Sequence, residues 1–187
     1  MKRALLLLVP SLFILLSCSS DDAPVPFENQ EPGTIRYTIN GVEYVLHEDD
    51  FEAKTCFDAC YFDSQIPWLI VGAFNPADNT FLTISTNQIE IGTYDLGQTM
   101  STQSNSCMTF GSYGFNEDEA EDHFFSHSDI GGSGFVEIMQ FDPFAELTSG
   151  LFEFTAINGS GESVTVSNGS FYMLDLDTFS ACLSFEF

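Results

Sequence analysis

The sequence predicts an all-β protein: an antiparallel β-sandwich, or a closed or partly closed β-barrel, of about nine or ten strands. Three observations carry that expectation. From Thr34 onward, apolar and polar residues alternate in short runs, the period-two pattern of half-buried strands. Turn residues separate the runs, as at Asn40-Gly41, Asn75-Pro76-Ala77-Asp78-Asn79 and Gly159-Ser160-Gly161. No stretch shows a helix-length 3.6-residue pattern, and the connections are too short for the crossovers that parallel strands need.

The clearest unit is TIRYTINGVEYVLH (34–47). Asn-Gly favours a type I′ turn, which pairs Ile39 with Val42, Tyr37 with Tyr44 and Ile35 with Leu46 on one apolar face. The other face carries Thr38 with Glu43 and Arg36 with Val45, as a half-buried hairpin requires. WLIVGAF (68–74) and TFLTIST (80–86) form a second hairpin around the 75–79 turn. IEIGTYDL (89–96) and CMTFGSYGF (107–115) follow as strands. The acidic run NEDEAEDH (116–123) interrupts them as an exposed loop or a single helical turn. FFSHSDI (124–130) resumes the alternation, and GGSG (131–134) leads into FVEIMQF (135–141). LTSGLFEFTAIN (147–158) and ESVTVSNGSFYMLDL (162–176) make a long hairpin, and ACLSFEF (181–187) closes the chain.

The first residues speak of location. Lys2 and Arg3 precede an apolar run from Ala4 to Leu16, interrupted by Pro10. That run falls short of the roughly 20 apolar residues a spanning helix needs, and reads instead as a cleaved export signal. It ends Leu15-Leu16-Ser17-Cys18, which resembles the bacterial lipobox: a branched residue three places before a cysteine and a small one immediately before it. The resemblance implies cleavage after residue 17 and acylation of Cys18, with the acyl chains as the membrane contact. Three segments follow from this reading: a lipoprotein signal at 1–17, the acylated cysteine with a tether at 18–33, and one β-domain at 34–187. The start Cys18-Ser19-Ser20-Asp21-Asp22 is also similar to lipoproteins of Bacteroidota, where acidic residues after the cysteine mark export to the cell surface. The implied location is the bacterial outer membrane, facing outward.

Removing residues 1–17 leaves Arg36 and Lys54 as the only strong cations against 28 acidic residues, a formal charge of −26. Such a chain is excluded from non-specific nucleic-acid binding, which depends on Lys and Arg neutralising phosphates. The charge reads first as a solvated acidic face that favours solubility, and second as a surface for cations. The 20 phenylalanines supply ample material for a core and set the chain apart from acidic disordered sequences.

With Cys18 assigned to lipid, Cys56, Cys60, Cys107 and Cys182 remain, an even number that reads as two disulfides in an exported protein. One connectivity joins Cys56 to Cys60 across a turn and Cys107 to Cys182. The crossed pairings, which tie the 56–60 loop to both strands, stay open. A Cys2His2 zinc site from Cys56, Cys60, His123 and His127 is the rival, disfavoured because zinc thiolates belong mainly to reducing compartments.

No nucleophile elbow, phosphate loop or His-Glu-x-x-His motif occurs, and no catalytic residue is assigned. No cofactor is required; Ca²⁺ is the one the acidic loops could take. Its candidate ligands are Glu117, Asp118, Glu119, Glu121, Asp122 and Asp129, hard oxygen donors without EF-hand spacing, with Asn116, His123 and His127 nearby. Glu48, Asp49, Asp50 and Glu52 form a second acidic loop. Trp68, after Pro67, is the candidate ligand-binding aromatic, able to stack on a sugar with Tyr61 or Tyr113 if it is exposed, and a core residue if it is not.

The Asn40-Gly41 hairpin, the central Gly92-Thr93-Tyr94-Asp95-Leu96 and the block from Ser149 to Phe171 together resemble a family of secreted Bacteroidota lipoproteins with an all-β domain of unknown function. The resemblance implies the fold and supplies no catalytic residue. The expected role is a lipid-anchored binding domain for a protein, glycan or small hydrophobic ligand. An envelope hydrolase using carboxylates and a purely structural envelope component are the alternatives.

Overall fold

Asn40 and Gly41 adopt φ of +52° and +79°, the left-handed pair that a type I′ turn requires and that glycine adopts without steric cost. The turn joins β1 (Thr34–Ile39) to β2 (Val42–His47) in the expected register, Tyr37 opposite Tyr44 and Ile35 opposite Leu46. Ile35, Tyr37, Ile39 and Leu46 are buried. On the other face Arg36 Nε lies 3.6 Å from Glu43 Oε1, a half-exposed pair that adds little to stability. The computed structural model describes residues 27, 29–50, 53–60, 63–97, 109–115 and 123–176, with the backbone alone at 50, 53–60 and 63–67.

The remaining strands are β3 (Ala53–Cys60), β4 (Asp63–Asn75), β5 (Thr80–Thr86), β6 (Gly92–Asp95), β7 (Phe110–Phe115), β8 (His123–Phe125), β9 (Ser133–Asp142), β10 (Leu147–Ile157) and β11 (Ser163–Asp175). All eleven belong to one antiparallel sheet, in the order β2-β1-β11-β10-β8-β7-β5-β4-β3, with β9 on β10 and β6 on β9. The sheet curls until β4 comes close to β2 and β3 close to β11, giving a nearly closed barrel. No α-helix occurs among the described residues; none there is long and apolar enough to cross a membrane.

At β10 the sheet forks. Its edge pairs with β9 from Leu147 to Thr155 and with β8 at Ile157. Residues 95–97 stitch the two branches together: Leu96 N donates to Gly134 O, and Gly97 bridges Phe110. Ser126, fully buried, closes the gap by donating to Leu96 O at 2.6 Å and accepting from Gly111 N at 2.8 Å. Ser126→Ala orphans two buried backbone groups, so it is expected to cost about 1–3 kcal/mol, read as a lower urea midpoint with unchanged slope.

Phenylalanine rings fill the interior where the opposing residue is glycine. Phe171 lies across Gly150 and Phe152 across Gly169, so closely that a Cβ at either glycine would overlap the ring. Phe152 and Phe171 stack at 6.5 Å, and both are about 1% exposed or less. Packing begins before Thr34: Phe27 stacks on Tyr172 at 4.7 Å, and buried Gln30 accepts from Ser170 Oγ at 2.6 Å. The tether expected over 18–33 is therefore docked at residues 27 and 30.

Three strands differ from expectation. Residues 56–60 belong to β3 rather than to a loop, because AKTCFDAC pairs with β4 along its length. The 89–96 strand shortens to Gly92–Asp95, the part that reaches β9. FFSHSDI ends its strand at Phe125 and turns through a 3-10 segment at Ser128–Ile130, since Gly131 at φ +93° ends that turn.

Candidate functional site

The turns between β1 and β2, β4 and β5, and β10 and β11 converge at one end of the barrel and surround an open cavity of about 420 Å³. Tyr44, Tyr113, Phe115 and Phe124 form aromatic walls, Ile39, Val42 and Val164 aliphatic ones. Asp78 and Glu162 stand at the rim, together with Asn40. The local sequence explains this placement. Alternation puts Tyr37 and Tyr44 on the inner face of the hairpin, and Tyr113 and Phe115 on the inner face of β7. The β4–β5 turn carries Asp78 to the top of the wall opposite Tyr44.

Hydroxyl groups converge on Asp78. Thr80 Oγ1 donates to Asp78 Oδ1 at 2.6 Å, and the Tyr44 hydroxyl donates to the same carboxylate. The Tyr113 hydroxyl lies beside Thr80, which favours its deprotonated form. Behind Tyr44, Tyr37 stacks on its ring at 5.1 Å and 12°. The Tyr37 side chain is fully buried, and its hydroxyl has no hydrogen-bond partner among the described residues.

Burial, reinforced by Tyr113, Asp78 and Tyr44, holds the Tyr37 hydroxyl well above the usual tyrosine range. Burial likewise pushes Tyr113 up to about 12; Thr80 offsets part of this, and Tyr44 and Asp78 add to it. Tyr44 is raised in the same direction by burial and by Asp78. These hydroxyls stay protonated at neutral pH, and Tyr44 acts as a donor. The linkage sign follows. An unfolded tyrosine loses its proton near pH 10, whereas folded Tyr113 keeps it to about 12. The unfolded state then binds fewer protons, so the stabilisation is intact below pH 10 and is lost as pH rises towards 12. Unfolding free energy is expected to fall by about 1.4 kcal/mol per pH unit for this residue across that window. Tyr113→Phe should flatten the profile in a pH series of urea melts.

The sequence-based candidates lie mostly elsewhere. Cys18, Cys107 and Cys182, and Glu117, Asp118, Glu119, Glu121 and Asp122, fall outside the described residues, as do Asn116 and Tyr61. Asp129 is exposed on the Ser128–Ile130 turn. Cys56 and Cys60 share β3, which spaces their Cα atoms by about 13 Å in extended backbone, against the 4.4–6.8 Å or so of a disulfide. Of the second acidic loop, Glu48 is engaged, its Oε2 accepting from Asp175 N at 3.0 Å. Asp49 is exposed on the same 3-10 turn, Glu48–Asp50. Among the described residues no three His, Cys, Asp or Glu side chains converge as a metal site.

Trp68 lies within β4 rather than at its start. It is half-buried, and its Nε1 donates to Ser85 Oγ at 2.7 Å. It sits on the face opposite Leu69, Val71 and Ala73, outside the barrel, whereas Tyr113 points inward, so the two do not share a site. His123 and His127 line up with Phe125 between them despite the short strand, at ring distances of 6.5 and 5.6 Å. His127 is 2% exposed, stacked on Phe125 and close to Phe110, not a surface histidine.

Reading each segment alone singles out Tyr113 as a stacking aromatic and misses the other cavity residues. Two tyrosines on a predicted buried face were the available signal, since buried phenols need partners for their hydroxyls.

The family model described as a domain of unknown function (DUF6252) matches residues 51–174, about two thirds of the chain. No curated protein matches, and no solved structure matches.

Proposed function

We propose a function for a chain that belongs to the DUF6252 family, a domain of unknown function: it is a lipid-anchored envelope protein whose barrel binds a small ligand at its mouth. The observation that carries this reading is the open, aromatic-walled cavity of about 420 Å³, within the size range of small-molecule sites. Its tyrosine hydroxyls are held protonated, and those of Tyr44 and Thr80 are directed at one carboxylate. That arrangement recognises rather than reacts. A glycosidase would leave two carboxylates free across a bond, and here Asp78 is engaged by two hydroxyls and Glu162 Oε2 by Asn158 Nδ2.

Topology supports the anchored orientation. The chain enters β1 at Thr34, six residues from the mouth at Ile39–Asn40, about 20 Å along the strand. An acyl anchor at Cys18 at the outer membrane surface leaves the mouth on the side away from the entering chain.

The test is a thermal-shift series with the purified protein and its Val42→Trp variant, using glycans, amphiphiles and organic cations. Val42 is 55% exposed at the mouth, so a larger ring there blocks entry without disturbing the core. A ligand at a hundredfold its dissociation constant stabilises by about 2.7 kcal/mol, several degrees for a domain of this size. A shift in the wild type that the variant loses supports the reading; no shift from any class overturns it.

A further inference from the structure

We infer that the ligand of the mouth is a small organic cation carrying an alkylated ammonium group, a conclusion that rests on reading the mouth as a binding pocket. Four aromatic side chains, Tyr44, Tyr113, Phe115 and Phe124, face the cavity. Aromatic ring faces carry partial negative charge and attract cations, especially desolvated alkylated ones. Asp78 and Glu162 add formal negative charge at the rim, and among the described residues no lysine, arginine or histidine lines the cavity. An anionic ligand meets only repulsion there, and a purely apolar one leaves both carboxylates without a partner charge.

The hydrogen-bond network has the matching polarity. Tyr44 and Thr80 both donate to Asp78, fixing its carboxylate beside the cavity while leaving other lone pairs to face a cation. A glycan would need donors and acceptors spread along the walls. Here the Tyr44 hydroxyl already serves Asp78.

The experiment uses choline and its neutral isostere 3,3-dimethylbutan-1-ol, titrated into the purified full-length protein at constant ionic strength. Binding is followed by calorimetry and by backbone NMR shifts at Tyr44, Asp78 and Tyr113. The expected result is that choline binds at least tenfold more tightly than the isostere and moves those three residues. Asp78→Asn, nearly isosteric and exposed, should fold normally and weaken choline tenfold or more. A trimethyllysine peptide tests the same group on a polypeptide: weaker binding than choline identifies a free small molecule as the source, and tighter binding overturns that part of the inference. Equal affinity for choline and the isostere overturns the cation assignment and leaves the pocket reading standing. If choline does not bind, the cation assignment fails. The Val42→Trp series then decides separately whether the pocket binds any other class.

Discussion

Truncating Phe171 to alanine is expected to lower the unfolding free energy by about 3–5 kcal/mol, the range for emptying an aromatic site in a closed core. The ring is fully buried and stacked on Phe152. Its neighbours are fixed, since Phe171 pairs with Ile35 on one side and Gly150 on the other. Gly150 has no side chain to fill the gap, and two hydrogen-bonded strands cannot close it without breaking their ladders. The vacated space therefore persists, and the cavity term adds to the lost transfer energy. Urea denaturation should show a lower midpoint at an unchanged slope. Phe144→Ala is the control: at 99% exposed, its loss should stay within about 0.5 kcal/mol. Equal effects of the two substitutions would contradict the placement of Phe171.

The second large effect concerns location. Cys18→Ser is expected to move the protein from the membrane fraction to the soluble fraction and to abolish incorporation of labelled palmitate. In the proposed anchoring, acyl chains contribute about 0.8 kcal/mol per buried methylene, and removing the Cys18 thiol removes all of it. Nothing in the charge compensates, because the chain's formal −24 is repelled by anionic headgroups. Cys107→Ser should stay with the membrane, which separates lipidation from general damage. A Cys18→Ser protein that still sediments with membranes after an alkaline wash would falsify the anchor. The same preparation, alkylated without reduction, tests the disulfide reading of the other four cysteines: two bridges leave none of them labelled.

How much of this was legible beforehand depends on whether the information was local. The β1–β2 hairpin was readable to the residue because Asn-Gly fixes the turn and period-two burial fixes the faces. The β4–β5 and β10–β11 hairpins were readable for the same reason. β3 was not, since AKTCFDAC alternates weakly and becomes a strand through its partner β4. The fork at β10 was also hidden, because it depends on Ser126 reaching Leu96 across 30 residues. The mouth escaped for the same cause: Tyr44, Asp78 and Tyr113 come from three separate hairpins or strands and meet only once the sheet curls. The acidic run at 116–122 was conspicuous by composition, whereas Asp78 is a single turn residue with nothing in the sequence to mark it.

The curl leaves the two strands that carry the mouth's tyrosines unequal in support, and the mouth inherits that inequality. Tyr44 stands on β2, which hydrogen-bonds β1 alone among the described strands, whereas Tyr113 stands on β7 between β5 and β8. One wall is an edge and the other is set within the sheet. Opening of the edge breaks one ladder and moves Tyr44 off Tyr37; opening of the other wall breaks two. Amide hydrogens of β2 should therefore exchange well before those of β7, and an occupant bridging Tyr44 to Asp78 should slow the edge selectively. A mouth built this way would yield on one side only, like a clasp with a fixed jaw and a sprung one.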